Sequence, residues 1–530
     1  MIVDLQSIAT AEKFEAEVCI VGAGAAGIPL ALELAAKGVG VVLLEGGAVG
    51  YDNATQALYE GTLAGHDNTD LVYSRLRQFG GTTQHWTGMC APLDEIDFEA
   101  RACNGNIEWP FARSALDAFY ARAHDYLELG EYRYSTEQWE GLLAGDPLPL
   151  PGALLDHGFY QQSPPTRFAD AYLGDIEKAR TIRCLINANV TDIVLGESGD
   201  MVDHVTVGAL SGTTATVKAK KFVLACGGIE NARLLLNADS QRPAGLGNEN
   251  DLVGRHFMDH LHIEASQIAL SDSRRDLGYY RQVTDTSSLL IGLKVQAALM
   301  RRQNLLNNTA FFTIVWKDQA QNDDFRDHAW LSFSALAKTF ARGEVPDRFA
   351  ERVCNVAESP GSVITGLSRH IRRRISEGGE IDDVLLWQDA EQAPNPDSRV
   401  LLNADRDALG LRRTTLDWRI LPADLESLRR THEIIGRAFG EAGLGRLRIG
   451  LPEDGDLSGI YTAYHHMGTT RMHTDPRRGV VDGDGRMHTV PNLYIAGSSV
   501  FPTGGAANPT LTIVALAIRM ADHLAETLAL

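Results

Sequence analysis

A glycine-rich turn near the N-terminus most constrains what this chain can fold into. A strand-like apolar run leads into Gly22, Gly24 and Gly27, an apolar helical pattern follows, and a second strand-like run ends at Glu45. Gly22 permits a tight turn, Gly24 lets the backbone approach a pyrophosphate, and Gly27 lets the helix pack on the strand. The N–H groups at the helix N-terminus attract phosphate. Glu45 follows about 20 residues later, where a carboxylate accepts hydrogen bonds from a ribose.

Together these features predict a Rossmann-like dinucleotide-binding unit rather than an ordinary glycine turn. They do not choose between FAD and NAD. At 530 residues the chain exceeds one typical core, so we expect two domains. Its formal net charge of −20 disfavours a nucleic acid partner, because phosphate binding needs basic patches. The acidic charge would suit a cationic substrate, although solubility explains it equally well.

The sequence does not indicate disulfides, a metal site, a signal peptide or a membrane span. The six cysteines are scattered without a CxxC pair, so no disulfide framework is predicted. No His/Cys/carboxylate cluster has ligand spacing, so no metal site is predicted. No signal peptide and no transmembrane run of about 18 apolar residues are found. The expected location is the cytoplasm, with export bound to a signal-bearing partner left open.

A second glycine-rich segment, FGGTTQHWTGM over 79–89, indicates backbone that lies close against another group. It is either a plain glycine loop or a segment pressed against a flavin ring, with His85 and Trp86 beside the ring. Under the second interpretation the candidate cofactor contacts in this segment are Gly80, Gly81, Thr82, His85, Trp86 and Thr87.

Further strands belong naturally to the nucleotide-binding unit, which is therefore discontinuous in sequence. Residues 185–195 predict a strand that contains Val190, and residues 221–236 predict a strand, glycine turn and helix that contain Ala225. Both residues are candidate cofactor contacts.

The remaining middle of the chain has mixed patterns. Amphipathic helices are predicted over 109–129 and 423–445, and β-rich stretches over 263–317 suggest a substrate-facing sheet. Residues 384–402 predict strand, proline loop, strand. Residues 320–380 are polar with a helical pattern, and their basic cluster 370–374 is more often a solvated helix face than a membrane or partner contact.

The last 70 residues return to the cofactor. A buried strand over 490–499 ends in a glycine turn with Gly497 and Ser498. Asn508, Pro509 and Thr510 then open a helix, with Asn508 as the predicted N-cap and Pro509 at the first helical position. This helix would direct its positive end at the cofactor site.

With these segments in order, the chain resembles the glucose–methanol–choline (GMC) family of flavin oxidoreductases. The resemblance rests on the first glycine turn with its acid, the 80–81 glycine pair, VLACGGIENARLLL over 223–236, YHHMGT over 464–469 and AGSSVFPTGGAANPTLT from Ala496. It spans nearly the whole chain and implies FAD and an α/β fold. In that fold a Rossmann-like FAD domain is interleaved with a substrate domain of mainly antiparallel sheet plus helices.

The implied domain layout is discontinuous. It assigns 1–95, 176–262 and 456–530 to the FAD domain, 96–175 to a helical segment covering the cofactor and substrate site, and 263–455 to the substrate domain.

Within the family, GGTTQHWT over 80–87 looks most like the pyranose oxidases and related sugar 3-dehydrogenases. In several members a histidine at the position of His85 bonds covalently to the flavin, and related dehydrogenases keep a similar histidine without that bond. A covalent link through His85 is therefore an open expectation.

Alcohol oxidation needs a base for the hydroxyl proton, and histidine suits this because its ordinary pKa of about 6.5 is near neutral. Two adjacent histidines are available. The family pattern, in which the catalytic histidine stands three residues before a glycine, selects His465. His466 then has a packing or hydrogen-bonding role. The family's second catalytic position falls on Asn508, which could fix the substrate oxygen.

The resemblance thus implies FAD-dependent oxidation of a secondary hydroxyl of a sugar, glycoside or polyol. Oxidation of an aminocyclitol or choline-like alcohol, a flavin-containing lyase and a non-catalytic flavoprotein are the alternatives. The small-molecule substrate would pass electrons to oxygen, a quinone or a partner protein. The sequence decides neither this acceptor nor the oligomeric state.

Overall fold

The computed structural model describes residues 1–284, 288–317, 380–451 and 456–529. Within these ranges the chain forms strands and helices in an α/β arrangement. The strands are β1 (Ile2–Asp4), β2 (Glu12–Val21), β3 (Val41–Leu44), β4 (Gly61–Gly65), β5 (Met89–Cys90), β6 (Leu155–Gln162), β7 (Ile182–Ile186), β8 (Asn189–Leu195), β9 (Val202–Gly208), β10 (Thr214–Leu224), β11 (Leu261–Leu270), β12 (Arg281–Val283), β13 (Ser288–Val295), β14 (Asn308–Trp316), β15 (Ile381–Ala390), β16 (Arg399–Arg406), β17 (Arg412–Trp418), β18 (Gly445–Arg448), β19 (Tyr461–Thr462) and β20 (Leu493–Ile495). The helices are α1 (Gly27–Ala36), α2 (Asn53–Gln56), α3 (Asp117–Tyr126), α4 (Thr136–Trp139), α5 (Phe168–Lys178), α6 (Gly227–Asn237), α7 (Ala297–Gln303), α8 (Pro422–Glu441) and α9 (Thr510–Ala529).

An eight-stranded sheet forms the centre of the cofactor-binding part. Its order is β1-β7-β3-β2-β10-β9-β8, and β20 also pairs with β10. From β1 to β10 and on to β20 the pairing is parallel, whereas β8, β9 and β10 pair antiparallel. The apolar run that ends β2 and all of β3 are buried, as expected for central parallel strands covered on both faces. The carboxyl ends of these strands meet at one edge, where such sheets bind ligands.

A second, nine-stranded sheet has the order β18-β11-β15-β14-β13-β6-β5, with β12 and β19 paired at its sides. Its pairings are antiparallel. A small third sheet joins β16, β17 and β4. The C-terminal helix α9 packs on α1 and α3, and Arg122 of α3 bridges Glu33 of α1 and Asp522 of α9. The two ends of the chain are therefore held together beside the first sheet.

The structure confirms the predicted fold class, the first strand–turn–helix–strand unit, the second unit over β10 and α6, the two successive strands β15 and β16, which lie in different sheets, and the helix α8. Two local predictions differ. The strand predicted over 185–195 is two strands, because Asn187 adopts a left-handed φ of 54° between them. The helix predicted over 109–129 begins only at Asp117, because the side chain of Trp109 is buried and bonded to Thr503 instead of starting a helix.

The segment 96–175 contains α3, α4 and the start of α5, but also β6, which pairs with β13 in the second sheet. It is therefore not purely helical, because β6 contributes buried aromatic side chains to that sheet. The polar segment 320–380 lies almost wholly outside the described residues, as does its basic cluster 370–374. Among the helices that the structure describes, none is long and apolar enough to span a membrane.

Candidate active site

A cavity of about 610 Å³ lies at the carboxyl edge of the first sheet, within the size range of small-molecule and cofactor sites. Loops after β2, β3, β10 and β20 contribute to its wall, together with the start of β8, the loop after Gly80 and the N-terminus of α9. The predicted site residues that line it are Gly22, Gly24, Glu45, Gly81, Thr82, His85, Trp86, Thr87, Val190, Ala225, His465, Gly497, Ser498, Asn508, Pro509 and Thr510. The structure thus brings together segments from both ends of the chain.

The two remaining predicted residues stand behind the wall and shape it. A Cβ on Gly27 would lie 1.8 Å from the carbonyl oxygen of Gly22, so only glycine lets α1 pack so closely on the turn. Gly80 has a φ of +87°, and its N–H donates to the carbonyl of Ala23 at 2.8 Å. Gly80 therefore ties the second glycine-rich loop to the first turn.

Glu45 is almost fully buried at the end of β3 and is held by backbone amides. One carboxylate oxygen accepts from the N–H of Ala23 at 3.0 Å, and the other accepts from the N–H of Gly47 at 2.9 Å. Burial raises the pKa of this carboxyl, while these hydrogen bonds and the nearby Arg77 act to lower it. The carboxylate keeps acceptor lone pairs, because each oxygen can take more than one hydrogen bond.

The residues at the first turn fit a bound dinucleotide. A Cβ on Gly24 would meet only the Cα of Gly81, at 3.9 Å, so the backbone faces open space in the cavity. No side chain caps the N-terminus of α1, and in the described residues the amide of Gly27 makes no backbone hydrogen bond, so it is available to a phosphate oxygen. With the Glu45 carboxylate beside them, these groups would hold the pyrophosphate and a ribose of FAD.

The loop that contains His85 is held by its neighbours while His85 itself faces the cavity. Arg167 donates to the carbonyl oxygens of Thr83 and Trp86 at 3.0 and 2.9 Å, and the indole N–H of Trp86 donates to the carbonyl of Thr166 at 3.0 Å. The side chain of His85 is exposed in the cavity wall. A ring bound in the cavity would therefore meet His85 on a fixed loop.

Sequence reasoning missed a buried charged cluster in the same wall. Glu230 of α6 accepts from Arg75 at 3.0 Å and Arg77 at 3.3 Å, and it also pairs with Arg233 at 3.2 Å. Burial opposes ionisation of Glu230, but the three guanidinium groups outweigh it and lower its pKa to about 2. Arg77 also donates to Asn189 from two nitrogens. Arg233 is close to Glu230 in sequence, but Arg75 and Arg77 lie 155 and 153 residues away, so no local pattern indicates the whole cluster.

The two predicted catalytic side chains are in contact. The amide nitrogen of Asn508 lies 3.2 Å from Nε2 of His465. Tyr464, just before this histidine, has a left-handed φ of 62°, a strained conformation that is often found at functional sites. This bend leaves Tyr464 exposed at the cavity wall and the imidazole of His465 half-buried beside Asn508.

The N-cap prediction for Asn508 is wrong. Helix α9 begins at Thr510, and the carbonyl of Pro509 accepts the first helical hydrogen bond from Ile513, so Pro509 has the N-cap position. In the described residues the Asn508 amide is bonded to His465 instead, which leaves it at the wall of the cavity.

Two further groups behind His465 were also missed. Asp259 accepts from the backbone N–H of His465 at 2.9 Å and from the hydroxyl of Thr462. His260 contacts Nδ1 of His465 at 2.9 Å, with the two rings edge to face. Burial, together with the neighbouring His260, lowers the pKa of His465 to about 3, whereas burial raises the pKa of Asp259 to about 7. His465 is therefore a neutral base at ordinary pH.

His466 differs clearly from its neighbour. Its side chain is buried against the ring of Phe257, and its Nε2 lies 3.9 Å from Asp259. Its backbone carbonyl accepts from the hydroxyl of Ser498 at 2.6 Å. Burial lowers its pKa to about 3. His466 also lines the cavity, and its packing role stays a prediction.

Comparison with known proteins identifies the family. Residues 17–327 match the family model described as FAD dependent oxidoreductase. This chain belongs to the FAD-dependent oxidoreductases. Residues 394–517 match the model described as GMC oxidoreductase, which confirms the resemblance inferred from the motifs. FAD is accordingly the dinucleotide, and the chain is an FAD-dependent alcohol oxidoreductase of the GMC family.

Individual relatives agree with this assignment. The fructose dehydrogenase large subunit of Gluconobacter japonicus is 24% identical over 98% of this chain and 99% of that protein. Paromamine 6'-oxidase of Streptomyces fradiae is 30% identical over 62% of this chain and 50% of its own length. The solved pyridoxine 4-oxidase from Mesorbium loti is 17% identical, with a TM-score of 0.53 over 96% of this chain and 99% of that chain, and shows the same fold.

The glycine turn yields a prediction that separates cofactor binding from folding. Gly24→Val should lose FAD, because its side chain would enter the cavity where the pyrophosphate needs backbone. It should still fold, with a melting temperature close to that of the unchanged protein freed of FAD, because bound FAD itself stabilises the native state. Gly27→Ala should lose about 1–3 kcal/mol of stability, because its Cβ would overlap the Gly22 carbonyl.

Gly50→Ala is the matched control, because a Cβ there meets no atom within 4 Å. Flavin absorbance per protein and thermal unfolding of the three variants are the measurements. Full flavin occupancy in Gly24→Val would contradict the assigned phosphate-binding turn.

Proposed function

We propose that this chain oxidises a secondary hydroxyl of a sugar, glycoside or polyol to the ketone. The observation that carries the proposal is the contact of His465 with the Asn508 amide in the wall of the cofactor cavity. A base for the hydroxyl proton and a donor for the hydroxyl oxygen are the two groups that alcohol oxidation needs beside a flavin. The names of the relatives, a fructose dehydrogenase and a paromamine oxidase, favour carbohydrate-like alcohols.

In the proposed mechanism His465 accepts the hydroxyl proton, and the Asn508 amide holds the oxygen so that the carbinol carbon faces the cofactor. Bound FAD would supply the acceptor for the hydride that leaves this carbon. The N-terminus of α9 begins beside Asn508, and its partial positive charge favours negative charge in this part of the cavity. Asp259 fixes the backbone of His465, which keeps the imidazole in place for proton transfer.

A second candidate substrate is an aminocyclitol or choline-like alcohol. The formal net charge of −20 and the name of the paromamine oxidase favour it. Anaerobic addition of a panel of sugars, glycosides, aminocyclitols and choline distinguishes the two, because only a substrate bleaches the flavin. A flavin-containing lyase would show no bleaching with any of them.

The electron acceptor, the location and the domain limits stay predictions. Oxygen, a quinone and a partner protein are the candidate acceptors, and rapid return of the flavin colour in air would assign oxygen. A cytoplasmic location and the five-part division at residues 95, 175, 262 and 455 are retained as proposed from the sequence.

The catalytic assignment predicts three different outcomes for three variants. His465→Ala should bind FAD but reduce it with substrate about 10²–10⁴-fold more slowly, because the base is lost. Asn508→Ala should also slow reduction, with little effect on stability because its amide caps no helix in the described residues. His466→Ala should keep far more activity than His465→Ala. Stopped-flow flavin reduction without oxygen is the measurement. A dead His466→Ala beside a normal His465→Ala would reverse the assignment of the histidine pair.

The low pKa of His465 predicts the pH dependence of the same step. The pKa of His465 lies well below the ordinary histidine value of about 6.5, so this side chain stays neutral at pH values below 6.5. Flavin reduction should therefore continue well below pH 6.5 before the rate falls with decreasing pH. The free energy of unfolding should also decrease as the pH falls, because histidines that are buried in the neutral form must then be protonated. A rate that falls by half at pH 6.5 or above in Asp259→Asn as well as in the unchanged protein would show that the base has an ordinary pKa, because Asp259, whose pKa is about 7, then no longer titrates.

A covalent bond between His85 and FAD is proposed from the GGTTQHWT motif, and the exposed position of His85 in the cavity wall supports it. Precipitation with acid should leave the yellow colour in the protein pellet, and His85→Ala should release the colour to the supernatant. Colour released from the unchanged protein would leave His85 only as a neighbour of the flavin.

A further inference from the structure

We infer that His260 is a positioning residue that fixes the tautomer of His465, so that Nε2 of His465 faces the cavity without a proton. The inference rests on the proposed function of His465 as the base. A neutral imidazole has one N–H and one lone pair, and only the nitrogen with the lone pair can accept a proton. Which nitrogen faces the substrate is therefore decisive for catalysis.

A backbone carbonyl group determines which nitrogen of His260 carries the hydrogen. Nε2 of His260 lies 2.8 Å from the carbonyl oxygen of Gly505. A carbonyl oxygen only accepts hydrogen bonds, so Nε2 of His260 must carry the hydrogen. If His260 is neutral, its Nδ1 then has the lone pair. This Nδ1 lies 2.9 Å from Nδ1 of His465, which must therefore be the donor.

The surroundings keep His260 neutral. Its side chain is fully buried, which disfavours the charged form and lowers its pKa. The two carboxylates that oppose this effect already have partners. Asp389 is bonded to His262 at 2.7 Å, and Glu391 is bonded to Arg101 at 3.2 Å. The facing His465 is itself neutral at ordinary pH, because its own pKa is low.

With the hydrogen of His465 on Nδ1, its Nε2 has the lone pair. This agrees with the Asn508 amide, whose nitrogen lies 3.2 Å from Nε2 as a donor. Two independent contacts, one at each nitrogen of His465, thus require the same tautomer. When Nε2 takes the hydroxyl proton, the N–H at Nδ1 can continue to donate to His260, so no second proton has to move.

The backbone around the Gly505 carbonyl is itself held in place. Gly505 has a left-handed φ of +59°, and its N–H donates to Glu391 at 3.2 Å. Glu391 also accepts from the backbone N–H of Asn307 at 2.8 Å. A Cβ on Gly505 would lie 2.5 Å from a carboxylate oxygen of Asp97, so the position requires glycine. The loop before Asn508 is therefore built to present one carbonyl to His260.

The test compares His260→Asn with His260→Leu. Asparagine places its Oδ1 close to the position of Nδ1 of histidine, so it keeps an acceptor for His465, whereas leucine removes it. Both variants lose the bond to Gly505, so this loss does not distinguish them. We expect flavin reduction to slow roughly 10- to 100-fold in His260→Leu, with little change in substrate affinity, and to recover largely in His260→Asn.

His432→Leu is the control for loss of a buried histidine. His432 on α8 is also fully buried, and it is bonded to Ser266 and Gln388 rather than to the site. It should reduce flavin at nearly the normal rate. Equal rates in His260→Leu and His260→Asn would overturn the inference.

A second measurement does not depend on activity. In the holoprotein labelled with ¹⁵N-histidine, the signals of His465 are identified by their loss in His465→Ala. They should show a protonated Nδ1 and an unprotonated Nε2, and the two forms should mix in His260→Leu. A protonated Nε2 in the unchanged protein would also overturn the inference. Normal flavin reduction by His465→Ala would instead overturn the proposed function, so the two failures are distinguishable.

Discussion

The site depends on the pairing register of β10. This strand pairs in parallel with β2 along most of its length, and its last three residues also pair in parallel with β20. Because parallel strands end at the same edge, this register places Gly22, Ala225 and Gly497 side by side, although they are separated by hundreds of residues in sequence. Backbone bonds continue the register past the strand ends, from Ala225 to Val21 and from Ala496 to Leu224. A slip of one residue would displace the phosphate-binding turn relative to the catalytic C-terminal segment.

The site contains both buried ion pairs and buried neutral histidines. The buried Glu230 in its wall is paired with three arginines, because an unpaired ion in such a place would cost several kcal/mol. Around His465 the imidazoles are instead kept neutral by burial. A base of low pKa is a weak proton acceptor for a free alcohol, so proton transfer must accompany the departure of hydride from carbon. The geometry at Asn508 would then matter as much as the basicity of His465.

The nucleotide-binding turn could be predicted from the sequence because it lies in a short local pattern with a physical reason for its residue types. FAD, His465 and Asn508 are predicted from the family resemblance, since the local pattern alone does not select them. The charged cluster around Glu230 and the contact of His260 with His465 could not be predicted in this way. Arg75 is 155 residues from Glu230 and His260 is 205 residues from His465, so only the tertiary fold brings these groups together. Local conformation accounts for the other differences, since the left-handed Asn187 divides one expected strand and the buried Trp109 delays the start of α3. Asn508 fits both the family motif and the pattern of a helix start. Its amide contacts His465 in the folded chain, so it does not cap the helix.

The most direct test of the central claim is the position of the flavin ring in a crystal structure of the holoprotein. We expect the FAD pyrophosphate to lie at the N-terminus of α1, a ribose to lie beside Glu45, and the reactive face of the ring to lie against His465 and Asn508. With a slowly reacting alcohol analogue bound, its hydroxyl oxygen should lie within hydrogen-bond distance of both side chains. A ring bound away from this pair, or an adenine in its place, would contradict the account.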